Sequence, residues 1–111
     1  MQKPLKILVV RFSSIGDIVL TTPVVRVLKK QINAEVHFLS FSKYSNLLLD
    51  NPYIDKVYTI DENINEIIPA LIKEKFDLLI DLHHNIRTQL LKQKLGIPSK
   101  SFRKLNVQKW L

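Results

Sequence analysis

The sequence predicts an α/β domain: a Rossmann-like parallel sheet with helices on both faces. Two observations carry that expectation. Short apolar runs rich in β-branched residues alternate with segments of helical period, and they do so four times. The first run, LKILVVR over 5–11, is apolar almost without interruption. A strand that is apolar at successive positions is buried on both sides, as strands are when crossover helices cover both faces of a parallel sheet. Strand–helix alternation then favours the doubly wound arrangement over a bundle or a sandwich.

Each element follows from its own pattern. After the strand at 5–11, Leu20, Val24, Val27 and Leu28 recur at i, i+4, i+7 and i+8, one face of a helix. Residues 35–41 form the second strand. A short helix over 43–50 is stopped by Asn51-Pro52, because a proline pushes the residue before it out of the helical region. The third strand covers 56–60. Ile64, Ile67, Ile68, Leu71 and Ile72 repeat with amphipathic helical spacing, and 76–82 form the fourth strand. A helix over 85–95 ends at Gly96 and Pro98, the expected stop signals. Residues 99–104 suit a short fifth strand. This divides the chain into a domain over 1–104 and the start of a truncated continuation over 105–111, whose Val107, Trp110 and Leu111 need a partner to pack on.

Composition narrows the function. A chain of 111 residues can bury one core, and 46% apolar with 24% charged residues is a globular composition. There is no cysteine, which excludes a disulfide framework and a thiolate metal site. The three histidines, His37, His83 and His84, have no ligand-like grouping, so no metal and no cofactor is expected. Arg11 ends the first apolar run too early for a secretory signal, and no apolar stretch approaches the ~20 residues of a membrane span. The chain therefore reads as cytoplasmic. Its net charge of +7 is uneven: residues 1–82 balance, whereas 83–111 hold seven Lys or Arg and no acid. That segment is either a surface that meets an anion or a solvated basic helix with a stretch packed on another domain.

Ligands of open parallel sheets bind beyond the carboxyl ends of the strands. Two such ends carry unusual residues, RFSSIGD over 11–17 and DLHHNIR over 81–87. The first has a single glycine, so it is neither a dinucleotide fingerprint nor a P-loop. It offers a cation at Arg11, hydroxyls at Ser13 and Ser14, a turn at Gly16 and a carboxylate at Asp17. Asp17 is either a chemical group or a helix N-cap. A helix beginning there would be kinked by Pro23 against the carbonyl of Val19; one beginning at Thr22 would leave Asp17 capping nothing. Ser13 and Ser14 could equally be turn residues. Neighbouring side chains diverge in an extended segment, so at most one of His83 and His84 faces a pocket, with His84 the better loop donor. His37 alternates within its strand and reads as structural. Arg87 opens a helix, where the dipole disfavours a cation, and so hints at an anionic partner.

KILVVRFSSIGDIVLTTPVVRVLKK and FDLLIDLHHNIRTQLL together resemble glycosyltransferase family 9, the lipopolysaccharide heptosyltransferases. The first matches the family's strand, [KR]-x-S-S-x-G-D turn and proline-bearing helix. The second matches a strand ending D-L and then N-x-R-[ST]. The resemblance extends over essentially the whole chain, with His84 standing where many relatives have a small residue. It implies the N-terminal half of a GT-B enzyme, holding the acceptor, with a nucleotide-sugar domain missing downstream. It further implies inverting, metal-independent transfer of heptose from ADP-heptose to the lipopolysaccharide inner core, at the cytoplasmic face of the inner membrane. In that scheme Asp17 is the general base, and a carboxylate near a sugar hydroxyl suits the task. Arg11, Ser13, Ser14 and Gly16 line the cleft, while Asn85, Arg87 and the basic segment face the anionic glycolipid acceptor. The chain alone is then expected to fold and to transfer nothing.

Three alternatives stay open. A signalling receiver needs clustered acids after the first strand, where Arg11 stands instead. A nucleic-acid or other anion-binding module would use the basic segment, but its aromatics are only Phe102 and Trp110, and no nucleic-acid partner is expected. A family member could also move a different sugar.

Overall fold

The computed structural model describes residues 4–12, 15–83 and 86–101. Ten elements follow in order: β1 (Lys6–Val10), α1 (Ile15–Leu20), α2 (Thr22–Gln31), β2 (Glu35–Phe41), α3 (Ser45–Leu49), β3 (Lys56–Ile60), α4 (Ile68–Glu74), β4 (Leu78–Asp81), α5 (Ile86–Leu95) and β5 (Ser99–Ser101). The strands form one sheet in the order β3-β2-β1-β4-β5, and every pairing is parallel. The α/β sheet expected from the alternation is the one observed. The tail over 102–111, and with it the domain boundary at 104, lies outside the described residues.

β1 is central because its sequence leaves no polar face. Ile7, Leu8, Val9 and Val10 are all buried. Ile7 and Val9 join a cluster with Ile18 of α1, Val24, Val25 and Leu28 of α2 and Leu48 of α3. Leu8 and Val10 join the opposite cluster, with Ile68 and Leu71 of α4 and Leu91 of α5. Helices therefore cover both faces, and each fully buried aliphatic side chain contributes about 1.5–3 kcal/mol.

Local chemistry refines the boundaries. The helical stretch after β1 is broken at Thr21, because Pro23 has no N–H to give the Val19 carbonyl. The Thr22 hydroxyl donates to that carbonyl instead, at 2.8 Å, and the buried Thr21 hydroxyl donates to Ile18 O at 2.6 Å. Both alternatives for this region thus occur in part: one helix begins before Asp17, and a second begins at Thr22 with proline in its first turn. The stretch over 64–72 likewise divides into a 3₁₀ turn, Ile64–Glu66, and α4, which has proline in its first turn. The buried face then runs through Ile64, Ile68 and Leu71, and Ile72 turns to solvent rather than joining it. The helix over 43–50 is a 3₁₀ turn, Ser42–Tyr44, followed by α3. α4 ends where Lys75 takes a left-handed φ of 58°. α5 ends at Gly96, with φ 61° and its N–H donating to Lys92 O.

Candidate active site

The strand order reverses between β1 and β4, so the loops leaving their carboxyl ends diverge and open a crevice between them. These are the two loops singled out by composition. One side chain ties them together. Arg11 Nη1 donates to the Leu82 carbonyl at 2.6 Å, and Nη2 pairs with Asp17 Oδ2 at 2.7 Å. The Arg11 backbone N–H donates to Leu39 O, which anchors the residue against β2. Both side chains are about one-fifth exposed, so the pair is partly desolvated yet reachable from solvent. Asp17 sits in the first turn of α1, where a carboxylate suits the helix dipole. It is therefore no N-cap; its Oδ2 turns to Arg11. A guanidinium at this distance makes a charge-assisted bond that fixes the direction of the carboxylate. Among the described residues nothing lies within 4 Å of where a Cβ on Gly16 would stand, so that side of α1 is open.

The β4 side is fixed by a buried acid that the sequence did not single out. Asp81 is fully buried at the end of β4; its Oδ1 accepts the His83 N–H at 2.9 Å, and Oδ2 lies 3.0 Å from Lys92 Nζ on α5. Leu82 N–H donates to Val10 O, so the carbonyl that receives Arg11 is held on both sides. His83 packs edge-on against Phe12. The Arg87 guanidinium lies over the rings of Phe12 and Phe41, 5.5 and 5.0 Å from their centroids. Those ring faces give a local reason for a cation at the start of α5. Ser13, Ser14, His84 and Asn85 lie outside the described residues.

His37 belongs to a separate cluster. It is buried, 2.7 Å from Glu35 Oε2 and 3.0 Å from Glu74 Oε2, and stacks on Tyr58. The Tyr58 hydroxyl donates to Glu74 at 2.6 Å. That hydrogen bond, aided by His37, Lys6 and Lys56, holds the Glu74 carboxyl below the ordinary glutamate value against a partial desolvation. Burial and then Glu74 raise the Tyr58 phenol. At Asp55 desolvation works upward, but bonds from Lys29 and the Val36 N–H outweigh it and the net shift is down. The structural reading of His37 agrees with these contacts.

No family model matches the chain. It is 26% identical over 99 residues to a lipopolysaccharide heptosyltransferase 1 of Campylobacter coli, covering 83% of this chain and 29% of that protein. The solved glycosyl transferase family 9 structure from Veillonella parvula superposes with a TM-score of 0.82 at 26% identity, over 95% of this chain and 34% of that one. The chain is similar to glycosyltransferase family 9 in both sequence and fold. The ADP-heptose lipopolysaccharide heptosyltransferase II of E. coli shares the fold, with a TM-score of 0.78 at 20% identity over 96% of this chain and 33% of that one. The chain thus spans about a third of the length of these relatives. Among the described residues no helix is long and apolar enough to cross a membrane.

Proposed function

We propose that this chain is the acceptor-binding, N-terminal part of an inverting glycosyltransferase that moves heptose from ADP-heptose to the lipopolysaccharide inner core. The observation that carries the reading is the Arg11 bridge, which sets a directed carboxylate at the switch point of a family 9-like sheet. In the proposed step the acceptor hydroxyl gives its proton to Asp17 as its oxygen bonds the anomeric carbon. The bond from that carbon to the diphosphate breaks, and ADP leaves with the electron pair. Arg11 orients Asp17 through its charge-assisted bond. Arg87, and Ser13, Ser14, Gly16 and Asn85 by family resemblance, bind the acceptor. A donor-binding domain joined to this one supplies the nucleotide sugar, and the enzyme works against the cytoplasmic face of the inner membrane without a metal.

In an enzyme formed with that donor domain, Asp17→Asn should lower turnover by a factor of about 10² or more while acceptor affinity holds. Unchanged turnover would remove Asp17 from the chemistry. The 111-residue chain alone should shift its amide signals around 15–17 and 82–87 with an inner-core oligosaccharide and not with duplex DNA. It should form no product from ADP-heptose, and product formation would make the chain self-sufficient. A different nucleotide sugar outcompeting ADP-heptose in the joined enzyme would reassign the donor.

A further inference from the structure

Asp81 ends β4 in register with Val10 of the central strand, and it is fully buried. A buried carboxylate is costly unless its oxygens are satisfied. Here each oxygen meets a different donor: Oδ1 accepts the His83 N–H at 2.9 Å, and Oδ2 faces Lys92 Nζ at 3.0 Å. The first contact, from a side chain to the backbone two residues on, bends the chain over 81–83. Leu82, whose carbonyl receives Arg11 Nη1, lies inside that bend. The second contact ties the bend to α5. Among the described residues Arg11 Nε has no hydrogen-bond partner, so the two Nη contacts, to Leu82 O and Asp17 Oδ2, set the direction of the guanidinium.

We infer that Asp81 is a positioning residue for the transfer reaction: with Lys92 as its counter-ion it fixes the Leu82 carbonyl, through it Arg11, and so the direction of the Asp17 carboxylate. The inference rests on the reading of Asp17 as the base. Two donors converge on this position, and a carboxylate has an oxygen for each. An amide of the same shape has one oxygen and one NH₂. Turned either way, it sets N–H groups against the His83 N–H or against the Lys92 ammonium, and one contact is lost. The Lys92 side chain is 16% exposed and the Asp81 side chain 0%, so solvent and salt screen the pair little. Displacement of a reacting group by about 1 Å can cost a factor of 10² in rate, so a bend held by one contact instead of two reaches the chemistry.

The test is a double-mutant cycle on turnover in the enzyme formed with the donor domain, assayed with ADP-heptose and a core oligosaccharide. Asp81→Asn should lower kcat about tenfold or more and leave the acceptor KM within about twofold. In an Asp17→Asn background the same substitution should cost nothing further, because a residue that acts through Asp17 then has nothing to act on. Lys92→Met should reproduce the loss, and Lys92→Arg, which keeps the charge, should retain most of the wild-type kcat. Where a single substitution prevents folding, Asp81→Asn with Lys92→Met removes both charges together and should show the same loss of kcat and the same silence over Asp17→Asn. In the ¹⁵N-labelled 111-residue chain, the amide spectrum of Asp81→Asn should stay dispersed while the Arg11 guanidinium N–H signals lose their protection from exchange. Unchanged kcat in Asp81→Asn, an equal fall in both Asp17 backgrounds, or Arg11 signals that keep their protection would each overturn the positioning role. Turnover lost in Asp17→Asn but kept in Asp81→Asn would sink that role and keep Asp17 as the base. Turnover unchanged in Asp17→Asn would take both down.

Discussion

Arg11 is one side chain that does two jobs: it neutralises Asp17 and it satisfies the Leu82 carbonyl. Arg11→Met keeps its aliphatic bulk and removes both contacts. The loss should be about 1–3 kcal/mol, since it leaves a partly buried carboxylate and carbonyl without the guanidinium. In urea this appears as a lower midpoint with the slope unchanged. A midpoint equal to wild type would mean that water replaces the guanidinium at no cost. The Glu74 cluster sets a pH dependence whose sign is fixed. A carboxyl depressed in the folded state stabilises above its unfolded value and loses that contribution as pH falls through the folded one. The window therefore opens near pH ~4.3 and extends below it. Glu74→Gln should lose less stability than wild type between pH 5 and pH 3, read from urea midpoints across about that range. The raised Tyr58 phenol acts at the other end: its contribution is present below pH ~10 and is lost as pH rises beyond that. Tyr58→Phe should flatten the alkaline limb, and parallel limbs in both proteins would assign the loss elsewhere. The aromatic support of Arg87 and the acid that reaches His37 from α4, Glu74, were invisible in the linear chain. Phe12, Phe41 and Arg87 meet only in the folded sheet, as do His37 and Glu74.

At the scale of elements, strands were the legible part, because a continuous β-branched run such as 6–10 has few other uses. The loops at their carboxyl ends followed from the same reading, and in the fold Arg11 and Asp17 of the first loop pair with each other. What they do to one another was not legible: an Asp after a Gly reads as a cap in the linear chain, and only the fold brings it to Arg11. Helix boundaries were blurred where two local rules competed, as at Thr21, where periodicity favours continuation and Pro23 forbids it. What Asp81 does within DLHHNIR was not legible, because nothing there announces that Lys92, a helix away, will meet it. The end of α4 shows the opposite case, a position where the residue type works against its conformation. Lys75 takes a left-handed φ without being glycine. Lys75→Gly should stabilise the domain by about 0.5–1 kcal/mol, because the αL strain on a Cβ disappears at a helix end that usually has glycine. A melting temperature that falls in this variant would show that the Lys75 side chain makes compensating contacts.

For the whole molecule, the decisive arrangement is that β1 sits mid-sheet with one partner close in sequence and the other far away. β2 follows within thirty residues of β1, but β4 begins only at Leu78. The two clusters on either face therefore close at different stages, one largely from the first half of the chain and the other from contributions across it. Residues 71 apart meet at the Arg11–Leu82 bond. Such a contact carries a large loop-closure entropy, so it forms after nearer pairings have limited the search. The crevice is thus expected to form late in folding. Arg11→Met should accordingly speed unfolding severalfold and leave the refolding rate nearly unchanged in stopped-flow chevrons. Slowed refolding instead would put the two loops in the nucleus. By the same reasoning, a sugar bound in the crevice would lengthen the lifetime of the native state without hastening its arrival. For this domain, occupancy would act as a brake on unfolding rather than as a template for folding.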